Sequence, residues 1–210
     1  PSKNIMNKLQ TCISTLYAFD DSPDDLDPTE SFLKSVRIIA KLGSIVAYSY
    51  LVAFKNNPTL AIPDKKMSHA ESFLHMLYEG KKPGAFESYI VDLALVLHAE
   101  HGGGNNSTFT TYVVTSSGSD IYSSLAAAVA SLKGPLHGAA NKKVMEMMDD
   151  IKKNVKDWKN TTELTQYLIQ LIEKKAGDKS GKLYGLGHAV YTKSDPRAVA
   201  IKSVAKKIAK

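Results

Sequence analysis

Apolar residues recur at three- and four-residue spacing along most of this chain, and the polar residues between them carry helix start and stop signals. Asp27 and Pro28 set a cap and a first helical position, after which Phe32, Leu33, Val36, Ile39 and Ala40 follow helical spacing. Gly43 is expected to interrupt that helix before a second piece at 45–54. Ser68 with Glu71 three residues later forms a capping box, Phe73, Leu74 and Leu77 give the helix an apolar face, and Gly80 ends it. Residues 84–98 read as a buried helix, because Ile90, Leu93, Ala94, Val96 and Leu97 leave little polar face.

Asn106 is a candidate cap for 108–116, a stretch rich in Thr and Val for which a strand is the local competitor. Asp120 can cap the Ala-rich helix that Gly134-Pro135 stops, and further helices are expected at 142–155, 161–175 and from Pro196 onward. Residues 177–182 read as a loop, and a hinge is expected at 134–138. The chain shows no alternating strand pattern and no internal repeat, so the expected fold class is all-α.

Composition adds limits rather than detail. The chain has 210 residues, 43% hydrophobic and 23% charged, enough for one large core or two modest ones. Its single cysteine, Cys12, excludes an internal disulfide and points to a reducing compartment. The longest apolar candidate for a membrane span, 89–97, contains Asp92 and is too short. The N-terminal PSKNIMNKLQ has no signal-peptide pattern. The net charge of +6 comes mostly from lysines interleaved with acids, which reads as solvated helix faces rather than a nucleic-acid patch. A modest positive field still favours an anionic small-molecule substrate. The chain opens on Pro1 and closes within a helical pattern, so it is expected to be a fragment of a longer protein.

The candidate chemistry lies in histidines beside glycines: His101 in HAEHGGGNNST, His137 in LKGPLHGAAN and His188 in YGLGHAVYTKSDPRA. Glycine leaves room for a ligand near the backbone, and imidazole moves protons near neutral pH. Each could instead be a structural histidine satisfying loop backbone, as His69, His75 and His98 are read. HGGG resembles an esterase oxyanion loop, but no GxSxG turn supplies a nucleophile. GLGHAV lacks the third glycine and preceding strand of a dinucleotide fingerprint. HAEH has no carboxylate–histidine set to complete a metal site, and no Walker A sequence occurs. Arg197, in the first turn of a helix, could hold a carboxylate through two parallel hydrogen bonds. Trp158 is read as an anchor between helices, and Met145, Met147 and Met148 as packing.

GPLHGAAN, GLGHAV followed by DPRA, and HGGGN with its Ser/Thr-rich continuation occur in an order and spacing that resemble the citrate synthase family. The opening PSKNIMNKL and the RIIAKLGSIVAYSY helix resemble it too. The resemblance implies an all-α homodimer with a large domain, here 1–137, and part of a small one, 138–210, whose closure assembles the site. It implies condensation of acetyl-CoA with oxaloacetate and water to citrate and CoA, with acetyl-CoA as substrate and no cofactor. It implies no nucleic-acid or membrane partner and a cytoplasmic home, the mitochondrial matrix being left open.

By the same resemblance His137 stabilises the acetyl-CoA enol and His188 polarises the oxaloacetate carbonyl. His101 and Arg197 bind oxaloacetate. Asn105 belongs to the same turn, and Ser107 can orient the enol-stabilising histidine. Backbone of Leu183, Tyr184, Gly185, Leu186 and Gly187 meets CoA. The family's catalytic aspartate and further arginines match nothing before Lys210, so residues 1–210 alone are expected to be inactive. Thr192 stands where some members carry an arginine, and Lys193 could substitute for it. A 2-methylcitrate synthase using propionyl-CoA and a non-catalytic helical dimerisation module are the alternatives.

Overall fold

A computed structural model describes residues 4–99, 102–134, 137–138, 140–187 and 192–208. The described residues contain α-helices and no strand. They divide into two compact units, one of 1–133 with 196–210 and one of 134–195.

The first unit contains α1 (Ile5–Leu16), α2 (Pro28–Phe54), α3 (His69–Leu77), α4 (Ala85–His98), α5 (Asn106–Thr115), α6 (Ile121–Leu132) and the chain's last helix, Pro196–Ile208. Helix α1 packs on α2 and α6, α2 on α3, α3 on α4, and α5 on α6. Ile13, Ile38, Ala47, Leu51, Leu74, Met76, Tyr122 and Ala126 are buried. The expected caps are present. Asp27 Oδ1 accepts from Thr29 N at 2.8 Å and Glu30 N at 3.2 Å. The Ser68–Glu71 box closes in both directions, at 3.2 and 2.8 Å. Helix α1 carries no strong punctuation beyond Asn4, whose side chain accepts from Asn7 N at 3.1 Å.

Four sequence expectations change here. Helix α2 runs unbroken through Gly43. A Cβ at Gly43 would lie 3.9 Å from the His69 ring, an ordinary contact, so space does not demand glycine here and the packing of α2 on α1, α3 and α6 outweighs its poor helix propensity. The stripe Phe32, Leu33, Val36 and Ile39 is exposed, while Lys34 and Ile38 of the same helix point inward. Lys34 is 1% exposed, and its Nζ donates to the carbonyls of Ser22 (2.5 Å), Pro23 (3.2 Å) and Asp25 (2.8 Å). A buried ammonium is tolerated when all its donors find acceptors.

Helix α4 forms as expected but is not buried within this chain: Ser88 is its only buried residue and Val96 is 65% exposed. Among the described residues its main neighbours are α3 and the Pro196–Ile208 helix. The uncharged apolar run 42–54 within α2 is longer than 89–97 and, unlike it, carries no acid. On length and composition alone α2 would pass for a membrane span, yet here it packs against α1, α3 and α6.

The loop between α1 and α2 is polar and well tied. Tyr122 Oη donates to Asp20 Oδ2 at 2.6 Å, and Tyr17 Oη donates to Asp24 Oδ2 at 2.8 Å. The Tyr17 and Tyr122 rings meet edge to face at 6.4 Å.

The second unit contains α7 (Ala140–Asn154) and α8 (Thr161–Ile172) followed by a long loop, with the Pro196–Ile208 helix (α9) returning to the first unit. Ile151, Val155 and Leu171 form its core, joined by Met147, Met148, Leu164, Tyr167, Leu168 and Leu183. Asn160 caps α8 through Thr162 N and Glu163 N. Met147 and Met148 pack as expected, whereas Met145 is exposed. Trp158 stands in the turn between α7 and α8 and is 43% exposed. Tyr167 Oη donates to Asp150 Oδ2 at 2.7 Å.

Burial and their carboxylate partners push Tyr122 and Tyr167 up to about 12 from the ordinary 10.0. The fold therefore favours both neutral phenols. Their contribution is complete below pH 10.0 and is lost as pH rises towards about 12. A denaturant midpoint that falls over that window is expected, with Tyr122→Phe reducing the fall. An alkaline profile identical in wild type and Tyr122→Phe would contradict it.

Candidate active site

The glycines before α5 open the first part of the site. Gly102 takes φ +77, and no described atom lies within 4 Å of a Cβ built on Gly102, Gly103 or Gly104. Internal packing therefore does not demand this run, and its backbone stays open to a ligand. Asn105, one residue before the expected cap, closes the turn onto α5. Its Oδ1 accepts from Thr108 N at 2.9 Å, and its Nδ2 donates to Gly102 O at 3.1 Å and Thr108 Oγ1 at 2.7 Å. Asn106 instead accepts from Ser131 Oγ of α6 at 2.7 Å. The strand alternative for this segment fails. Thr110, Thr111 and Thr115 donate to carbonyls one turn back at 2.8, 2.9 and 2.7 Å, and α6 packs along the helix.

Ser107, half-buried, donates from Oγ to Ala128 O at 3.0 Å, joining α5 to the Ala-rich α6. Arg197 is the second residue of α9, directly after Pro196, and is half-buried. Asn105, Ser107 and Arg197 thus belong to the first unit.

His137 and the 183–187 loop belong to the second unit. After α6 the chain turns on the Gly134 carbonyl, which accepts from His137 N at 3.0 Å and Gly138 N at 3.2 Å. The turn fixes the backbone that carries the half-buried His137. His101 and His188 lie outside the described residues.

Residues Leu183 to Gly187 form an exposed turn over α7. Leu183 packs into the Ile151 core, and Leu186 is 72% exposed. Gly185 takes φ +84, and a Cβ there would lie 3.2 Å from Val144 Cγ2, so the backbone lies close on α7. A cavity of about 210 Å³ beside this loop is lined by Lys143, Glu146, Asp150, Asp178 and Tyr184 among others. No sequence motif marks Asp178, yet its carboxylate is the hub here. Its hydrogen bonds from the Tyr184 hydroxyl, the Ser180 side chain and the Ser180 amide, with a further bond from Lys143, hold it well below the usual carboxylate range. Lys143 also pairs with Glu146 at 3.2 Å. These charges satisfy one another, which suits a scaffold better than a proton-transfer centre. Among the described residues no group of His, Cys, Asp and Glu is arranged to hold a metal ion.

The all-helical backbone matches solved enzymes. It superposes on the crystal structure of citrate synthase from Pyrobaculum aerophilum with TM-score 0.71 and 29% identity, over 97% of this chain and 49% of that one. For the citrate synthase from Thermotoga maritima the values are 0.72, 27%, 99% and 50%. In sequence the chain is 38% identical over 204 residues to the citrate synthase of Heyndrickxia coagulans, covering 97% of this chain and 50% of that protein. It is 37% identical over 198 residues to the citrate/2-methylcitrate synthase of Bacillus subtilis, covering 94% and 49%. The family model described as citrate synthase, C-terminal domain, matches residues 1–210. The chain belongs to the citrate synthase family. It spans about half the length of these relatives.

Proposed function

We propose that residues 1–210 supply most of the active site of an enzyme that condenses acetyl-CoA with oxaloacetate and hydrolyses the resulting thioester to citrate and CoA. The observation that carries this reading is the family match over the whole chain, with the glycine-flanked histidines and Arg197 standing in order. A base removes a proton from the thioester methyl, and negative charge grows on the carbonyl oxygen. His137 is the donor to that oxygen. His188 hydrogen-bonds the ketone oxygen of oxaloacetate, whose carbon takes the new bond, and His101 and Arg197 hold its oxygens. Water then cleaves the thioester and releases CoA. Asn105 belongs with the oxaloacetate site, Ser107 matches the family position that serves the enol-stabilising histidine, and the 183–187 backbone receives CoA. No cofactor takes part.

The base is an aspartate supplied from outside the matched motifs, so CoA release by residues 1–210 alone is expected to be negligible. Robust condensation by these residues would overturn that assignment.

The exposed apolar side chains Phe109, Tyr112 and Val113 of α5 support a homodimer. A single free cysteine supports a reducing, cytoplasmic-type compartment. The names of some relatives favour a second reading, with propionyl-CoA as substrate; one at 36% identity is the 2-methylcitrate synthase of Shewanella oneidensis. CoA release with each thioester decides between them. A higher kcat/KM for acetyl-CoA is expected, and a preference for propionyl-CoA would select the alternative.

A further inference from the structure

We infer that Tyr184 and Asp178 are positioning residues for the acyl-CoA substrate, tying the 183–187 backbone to α7. The inference rests on the citrate synthase reading above.

The residues before this loop form a closed chain of bonds. Asp178 Oδ1 accepts from Ser180 N at 3.0 Å, and Ser180 Oγ accepts from Lys182 N at 3.2 Å. Tyr184 Oη donates to Asp178 Oδ2 at 2.7 Å and lies 3.1 Å from Ser180 Oγ. Lys143 of α7 reaches the same Asp178 oxygen at 3.5 Å, with its ammonium 6.0 Å from the centre of the Tyr184 ring. Within this ring of contacts Lys179 takes φ +57, a left-handed conformation that a non-glycine residue adopts at a cost. The bonds on either side of Lys179 hold it there.

The tie matters because of where it sits. Leu183, just before Tyr184, is fixed in the core, and Gly185, just after it, lies on Val144. Beyond those anchors the turn is exposed, as Leu186 shows. A backbone that must meet a nucleotide binds better when it is already in the bound conformation. The phenol–carboxylate bond supplies that order without touching the reacting atoms. Asp178 stays ionised throughout the neutral range, so the bond keeps its charge assistance there.

The test uses the active enzyme that contains these residues. Tyr184→Phe keeps the ring and removes the donor. The KM for acetyl-CoA is expected to rise about tenfold, as for a lost hydrogen bond to a charged acceptor, with kcat and the KM for oxaloacetate changed less than about twofold. Asp178→Asn keeps a neutral acceptor and should give a smaller rise. A general packing defect would lower kcat and melting temperature as well, and that pattern would overturn the inference. An unchanged acetyl-CoA KM in both variants would also overturn it. If the wild-type enzyme performs no condensation, the functional reading falls instead. Amide hydrogen exchange over 182–187 then judges the tie by itself: faster exchange in Tyr184→Phe supports it, and equal rates overturn it.

Discussion

His137→Ala is expected to lower kcat for citrate formation by about 10²–10³-fold, the loss typical of one oxyanion donor. The enol oxygen gains its charge only as the methyl proton leaves. A donor fixed at that point therefore acts on the transition state more than on bound acetyl-CoA. The hydrogen bond that closes the turn does not involve the imidazole. The turn around His137 is held by its backbone N–H to Gly134 O at 3.0 Å, a bond that alanine retains. The KM for oxaloacetate should change little. His188→Ala is expected to lower turnover by orders of magnitude too, through the ketone rather than the enol. Steady-state kinetics of both variants in the active enzyme checks the pair. Near-normal turnover in both would remove the citrate synthase assignment.

The largest expected effect on stability comes from Lys34, far from the chemistry. Lys34→Met should destabilise the first unit by about 3 kcal/mol, since each buried carbonyl left without a donor costs about 1–3 kcal/mol. The carbonyls of Ser22, Pro23 and Asp25 converge on one ammonium, and a thioether offers them nothing. Partial hydration of the loop offsets some of the loss, which keeps the total below the sum. For a chain of this size that corresponds to a melting point lower by roughly 6–12 °C. Lys34→Arg should also lose stability, because a planar guanidinium does not match carbonyls gathered around a point charge. Lys41→Met, on the exposed side of the same helix, serves as the control and should fall within about 0.5 kcal/mol. Thermal melts that place Lys34→Met beside that control would show that the ammonium is not the tie described.

Lys34 also shows where sequence reasoning stops. Helical spacing correctly places Phe32, Leu33, Val36 and Ile39 on one face of α2, but periodicity does not say which face meets the rest of the chain. The inward face carries a lysine because a loop twelve residues upstream brings its carbonyls there. Gly43 is similar: its local preference is to break a helix, and the packing of α2 on α1, α3 and α6 overrides that preference. Helix α4 is apolar for reasons that its few neighbours in this chain do not account for. The Asp178–Tyr184 tie was invisible because its members lie in a segment whose composition reads only as loop.

The helical class, the caps at Asp27, Ser68 and Asp120, and the family, through the order of its glycine-flanked histidine motifs, were legible from residue order alone. These are local or linear properties, set by backbone donors within one turn and by residue identity along the chain. Which helix faces are covered, the bond from Ser107 across to α6, and the role of Asp178 in the loop before Tyr184 emerge from three-dimensional packing. Those depend on contacts between different segments, such as Ser107 with Ala128 and Lys143 with Asp178, which no spacing along one segment encodes.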